Sequence, residues 1–370
     1  MSHRIEINRT KPLAEEPHLG HNRYHPDIEP ILEVGAGEEV VIETRDAVDG
    51  QIAPDATEAV LETMDGGAIH PLTGPVYVKG AAPGDGLEIE FLDIEPQATG
   101  FSLVRPGRGF LRDIMTTPFL AHWRLDDGWA TSEQIPGVRI PGAPFMGISA
   151  VAPSMRELKA WTEREARLLE RGGLVMPPDP AGAVPGGACG LAGLRTMPPR
   201  ENGGNFDVKQ LTKGAKLILP VFTEGALFST GDAHFAQGDG EVCVTAVEMG
   251  ATVAVRFKLH QGAFAARTFK APIFSHHDYF ADPRFATPQR FLGVMGIPVD
   301  AEGENRGEDL TLACRNAVLN MIELLGERGY TREQAYVICS VAVDLRISNV
   351  VDVPNFVVSA LLPEAIFDGD

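Results

Sequence analysis

The sequence predicts a mainly β protein, a sandwich- or barrel-like body interrupted by two or three helices. Two observations carry this. Gly 40 and Pro 28 are both high for 370 residues, which favours many turns and short strands over long helices. Four segments also repeat one pattern, a glycine turn followed by alternating residues. They are VGAGEEVVIET (34–44), PGDGLEIEFLDI (83–94), TKGAKLILPVF (212–222) and EMGATVAVRFKL (248–259). Alternation with period two lays one face on a core and turns the other to solvent.

The helical interruptions carry their own signals. Ser154-Met-Arg-Glu157, following Pro153, reads as a capping box. It opens a helix, MRELKAWTEREARLLER, that stops at Gly172-Gly173 and can set Leu158, Trp161 and Leu169 on one face. A second helix is expected in DLTLACRNAVLNMIELLGERG (309–329), and Thr331 with Gln334 caps a third segment, AYVICSVA. The Pro/Gly-rich stretch 172–204 reads as a long ordered loop or a mobile flap. The chain thus divides into a β-rich part (1–150), a helix plus loop (151–204) and a β-rich part with helices (205–370). We expect one interwoven unit.

Composition bounds the function. Hydrophobic content of 44% and charged content of 22% suit a soluble globular enzyme. A formal net charge of -19 repels phosphate backbones and anionic lipid, so neither nucleic acid nor membrane is an expected partner. MSHRIEINRTKPLAEE has no apolar signal core, and no apolar run is long enough to span a bilayer. A cytoplasmic location is the expectation. Cys189, Cys243, Cys314 and Cys339 form no C-x-x-C pair, and read as reduced, buried thiols with nothing beside them to stabilise a thiolate.

Polar residues concentrate in a few places. GDAHFAQGDGEV (231–242) lies between the apolar runs KLILPVF and EVCVTAVE. On an extended backbone Asp232 and His234 leave on the same face, a pairing that suits a divalent transition metal such as zinc. The alternative is that Gly231-Asp232 and Gly238-Asp239-Gly240 are turn residues. ENGGNFD (201–207) joins two glycines, which let a backbone approach a ligand, to Asn205 and Asp207. It also reads as a surface turn. His70 is a site residue or a satisfied structural histidine, and Asp46 with Asp49 could form an Asx turn. His276-His277-Asp278 is a weaker ligand set, since adjacent strand residues point apart. Phe228 and Phe235 either narrow a pocket or belong to the core.

Several long stretches resemble the acetamidase/formamidase family. They are IETRDAVDGQI (42–52), IHPLTGPVYVKGAAPGDGLEIEFLDIEP (69–96), ISAVAPSMRELKAWTEREARLL (148–169), TMPPRENGGNFDVKQLTKGAKLILPVFTEGALFSTGDAHFAQGDGEVCVTAVEM (196–249) and AVDLRISNVVDVPNFVVSALLP (342–363). The likeness runs in the family's order over nearly the whole chain. It implies a jelly-roll-like β-sandwich body with mixed α/β segments, a cytoplasmic homo-oligomer, and hydrolysis of a short aliphatic amide such as formamide or acetamide to carboxylate and ammonia. It implies a polar site segment at 231–242, with Asp232, His234, His70 and Asp46 as metal ligands and Asp207 able to join them.

The expected chemistry is then a water activated by a divalent metal, zinc in the first instance, with calcium an option for a second ion. Glu241 or Asp207 would move the proton, and Asn205 or the backbone at Gly203-Gly204 would hold the substrate or its oxyanion. Two rivals stand beside this reading. One is metal-dependent hydrolysis of another C–N bond, in a cyclic amide, a carbamate or a urea-like compound. The other is a metal- or ligand-binding β-sandwich without turnover.

Overall fold

The four glycine-led segments become the four inner strands of one sheet. In the computed structural model, which describes residues 2–279 and 290–367, a six-stranded sheet runs in the order Ser2–Ile5, Glu39–Thr44, Ala251–His260, Gly86–Pro96, Ala215–Pro220, Ile273–His276. Burial alternates residue by residue along Glu39–Thr44 and the first part of Ala251–His260, as the pattern requires. Strands from the first 150 residues and from beyond residue 205 are neighbours in this sheet.

A second, eleven-stranded sheet holds most of the remaining strands. One cluster of buried side chains draws on both sheets, including Val40, Phe91 and Val255 from the first and Val76, Trp123 and Phe228 from the second. Phe228 and Phe257 meet edge to face across it, ring centroids 5.3 Å apart. With 34% strand against 17% helix, the molecule is mainly β. A further three-stranded sheet, Phe291–Gly296, Val357–Pro363 and Asp344–Asn349, packs beside the helix Leu310–Glu327. Gly296 sits so close to that helix that a Cβ there would stand 2.1 Å from the Ala313 carbonyl.

Both predicted N-caps form, but only Thr331 closes a reciprocal box. The Ser154 side chain accepts from the Arg156 and Glu157 N–H groups at the head of Met155–Glu170. Thr331 and Gln334 make a reciprocal capping box ahead of Arg332–Ala342. Leu158 and Trp161 are buried under the first helix, but Leu169 is half exposed, because the helix outruns the body it packs on. The 172–204 stretch is tied down rather than featureless. It contains the short helix Gly187–Ala192, and the Arg23 guanidinium donates to the carbonyls of Asp179 and Ala181. No described helix is long and apolar enough to cross a membrane.

The position of greatest consequence lies in the strand Phe228–His234. Along one edge its first half pairs with Leu72–Val78, with Gly231 opposite Leu72. Its last two residues pair instead with Glu248–Met249, Ala233 opposite Met249 and His234 opposite Glu248. The neighbour changes at Asp232, whose φ is 55°. The other edge is paired with Phe145–Ala150.

Phe257→Ala, which empties the aromatic contact between the sheets, is expected to cost about 3–5 kcal/mol in urea denaturation. An effect below about 1 kcal/mol would show that the sheets do not depend on it.

Candidate active site

At the seam where the strand changes partner, acidic side chains gather around one imidazole. His234 Nε2 lies 3.1 Å from Glu248 Oε2, 3.5 Å from Asp232 Oδ1 and 3.9 Å from Glu241 Oε1. Among the described residues two groups could hold a metal ion, Asp232–His234–Glu248 and Asp207–His234–Glu241, and His234 belongs to both. Asp232, His234 and Glu248 are almost wholly buried. Asp232 Oδ1, His234 Nε2, Glu248 Oε2 and Asp207 Oδ1 are all buried without a hydrogen-bond partner. Four such atoms facing one another would be costly if nothing joined them.

The backbone is bent to make this cluster. Asp207, Asp232 and Glu241 have φ of 50°, 55° and 43°, in the left-handed region that non-glycine residues enter at a cost. The same-face expectation for Asp232 and His234 therefore comes true by another route. The two side chains converge because Asp232 leaves the extended conformation. Gly147 supplies the room. A Cβ there would stand 2.7 Å from Asp207 Oδ1 and 3.0 Å from Asp232 Oδ2. Its carbonyl also accepts the Phe206 N–H at 3.1 Å, which holds the turn before Asp207 against the strand.

Gln237 orients the ring. Its Oε1 lies 3.0 Å from His234 Nδ1, and its Nε2 donates to the Asp207 carbonyl at 2.7 Å. The amide is thus fixed, so Nδ1 carries the hydrogen and Nε2 faces the carboxylates. Phe145 meets the same ring edge on, centroids 5.0 Å apart.

Electrostatics follow from burial and crowding. Burial pushes Glu248 and Asp207 up to about 7, with the His234 charge opposing. Burial also raises Glu241 well above the usual range, and Asp207 beside it adds to this. Burial works against a charged His234, yet Glu248 and then Asp232 outweigh it and hold the imidazolium well above its ordinary range. At Asp232 burial is overcome by His70 and His234, leaving it at about 2. The site, without a cation, holds its protons tightly.

The expected residues divide as follows. Asp232, His234, Asp207 and Glu241 come together. His70 is buried with Nδ1 unpartnered, and feels the charges of Asp232 and His234, but belongs to neither converging group. Asp46 also feels Asp232, while its Oδ1 accepts from the Val48 and Gly50 N–H groups at 2.9 and 3.1 Å, an Asx-type turn. Asp49 ties down the Leu13 N–H instead. Asn205 Oδ1 is buried and unpartnered, and Gly204 has φ of 109°. The Gly203 N–H is already given to the Arg200 carbonyl, so it is not free for a substrate.

The alternatives left open elsewhere resolve as follows. Phe228 packs between the sheets and Phe235 lies against Gly142, so neither narrows a pocket at the cluster. His276 bonds the Lys213 carbonyl on the edge strand, away from the cluster. Cys189 does have a neighbour, with His25 Nδ1 3.5 Å from its Sγ, although burial raises the thiol pKa. All four cysteines are free. Glu248, Gly147 and the ring-holding role of Gln237 were missed. The one signal for Glu248 was a lone acid closing the apolar run EVCVTAVE.

Comparison with known proteins gives the family. The chain matches the Acetamidase/Formamidase family over residues 6–369. The chain belongs to that family. It is 38% identical over 362 residues to an acetamidase of Mycolicibacterium smegmatis, spanning 90% of this chain and 88% of that protein. It is 34% identical over 386 residues to a formamidase of Methylophilus methylotrophus, spanning 99% and 94%. Among solved structures, a gamma lactamase from Delftia acidovorans superposes with a TM-score of 0.93 at 36% identity, over all of this chain and 94% of that one.

Two outcomes are expected. Gly147→Ala should lower activity by about 10²-fold or more, since the new methyl displaces two carboxylates. A fully active, folded variant would contradict the packing. Glu248 and Asp207 bind protons more tightly folded than unfolded. Their contribution to stability is therefore complete below about pH 4 and lost as pH rises through about 7. The melting temperature of cation-free protein should fall between pH 5 and 8, and added divalent cation should raise it more at pH 8 than at pH 5. Equal increments at both pH values would mean that no cation meets these groups.

Proposed function

We propose that His234, Asp232 and Glu248 hold a divalent cation of the zinc type, and that this site hydrolyses a short-chain aliphatic amide to carboxylate and ammonia. The observation that carries the reading is the set of buried, unpartnered donor atoms facing His234 Nε2. Amide hydrolysis itself rests on the family and on relatives named acetamidase and formamidase: the protein is an amidase. Donors at about 2.0–2.2 Å from a tetrahedral ion stand about 3.4 Å apart, in keeping with the 3.1 and 3.5 Å separations from Nε2. An imidazole among carboxylates favours zinc and its neighbours over calcium, which takes oxygen ligands. Asp46 and His70 complete the reading as outer members beside Asp232. We read the body as a jelly-roll-like sandwich, on the strength of two sheets sharing one core.

When bound, such a cation polarises an amide carbonyl and lowers the pKa of water toward about 7. The chain's own groups supply the rest. Burial raises the pKa of both Asp207 and Glu241, so of this crowded pair the ionised carboxylate can take the proton of the attacking water while the carboxyl still protonated gives its own to the leaving nitrogen. The water oxygen bonds to the carbonyl carbon, the C–N bond breaks, and the nitrogen departs as ammonia. Asn205 Oδ1 offers an acceptor to the substrate N–H. Burial strengthens each of these interactions.

A second reading is hydrolysis of a cyclic amide. One observation favours it, the TM-score of 0.93 with the gamma lactamase over the whole chain.

Purified protein given formamide, acetamide, propionamide and a γ-lactam should release ammonia from the linear amides, lose that activity on chelation and regain it with zinc. Full activity in a verified cation-free preparation would remove the cation from the mechanism, and turnover confined to the lactam would select the second reading. His234→Ala should lower kcat/KM by at least about 10³-fold with an unchanged circular dichroism spectrum. Near-normal turnover by this variant would sink the assignment of the site.

A further inference from the structure

The strand registers place one row of side chains across the larger sheet. His234 stands opposite Glu248, Glu248 opposite Phe101, and Phe101 opposite His122. Directly opposed residues in antiparallel strands share a face, with Cβ atoms about 4.5–5.5 Å apart. The row therefore leads from the acidic cluster across three further strands on one side of the sheet.

A cavity of about 100 Å³ lies along this row, walled by Glu248, Phe101 and His122. Asp46, Ile52 and Met249 also line it. Asp46 comes from the turn after the strand Glu39–Thr44, so a separate segment of chain walls the space together with the row. The cavity is polar where Glu248 and Asp46 line it and apolar where Ile52 and Phe101 do. A larger cavity of about 220 Å³ reaches the cluster through Gln237, both of whose amide atoms are already hydrogen-bonded. The smaller one has a carboxylate of the cluster in its own wall.

We propose that this cavity is the acyl pocket, with the amide group against Glu248 and Asp46 and the carbon chain against Ile52 and Phe101. It rests on the amidase reading and deepens it. One water needs about 10–15 Å³ of such space, so the pocket has room for a short-chain amide of several heavy atoms, and the residues at its apolar end decide how long that chain can be. Ile52 and Phe101 are buried side chains with no role in the chemistry, and they set chain-length preference. Gly100 and Gly250 let the chain segments around the cavity approach closely. A Cβ on Gly100 would stand 2.5 Å from the Glu248 carbonyl, and one on Gly250 2.4 Å from Gln97 Oε1.

The test compares kcat/KM for formamide, acetamide and butyramide in the wild type, Ile52→Ala and Ile52→Phe, with Phe101→Ala as a second enlarging variant. Binding of the same amides is followed by saturation-transfer NMR. Enlarging the pocket should raise the butyramide-to-acetamide ratio by about 10-fold or more, and Ile52→Phe should spare formamide while depressing acetamide by a similar factor. Ratios unmoved in folded, active variants would overturn the pocket assignment and leave the amidase reading standing. A wild type that binds these amides without hydrolysing them would remove the amidase reading, and the binding ratios would still decide the pocket.

Discussion

Four carboxyl groups and one imidazole crowd together at the seam of a β-sheet, three of the five residues almost wholly buried, and the rest of the site is organised around that concentration of charge. Like charges at this spacing cannot all ionise without water or a cation. In its cation-free form the protein answers with protons, holding His234 charged and keeping Glu248, Asp207 and Glu241 protonated toward neutral pH. A divalent cation answers the same demand with one particle, and it would take the place of the proton on Nε2. The groups that would grip the ion and the groups that move protons are thus one electrostatic system.

That system imposes terms on the backbone. Three of its carboxylates sit at positive φ, a conformation that packing and hydrogen bonds must hold in place. Gly147 leaves space for two of them, and the fixed amide of Gln237 sets both the ring and the turn at Asp207. The seam itself arises because two neighbours share that edge of Phe228–His234 and meet at Asp232. Leu72–Val78 covers its start and Glu248–Met249 its end, and the side chains at the junction are free to point at one another.

Much of the architecture was legible in the sequence. The glycine-led alternating segments were four adjacent strands, and the caps at Ser154 and Thr331 opened helices, because turns and caps are written in local chemistry. Asp232, His234, Asp207 and Glu241 stood out because polar residues between apolar runs demand a reason. Glu248 was not legible, since it ends an apolar run and acquires its meaning from a cross-strand register. Gly147 was equally silent. Its importance lies in the missing side chain and in what two distant segments place beside it. Leu169 misled because helical periodicity tells which face is apolar but not how far the body beneath extends.

The spread of the cluster along the chain bears on how a cation would be acquired. Asp207, Asp232, His234, Glu241 and Glu248 all lie within one short stretch, while the strands that frame them, Leu72–Val78, Thr99–Val104 and Phe145–Ala150, come earlier. A ribosome releases the frame before the ligands. The unfolded chain also keeps its potential donors close in sequence, so a loose chelate can form before the sheet closes. Metal capture and sheet closure are then competing steps, and an ion bound early lessens the stabilisation measured on the finished fold.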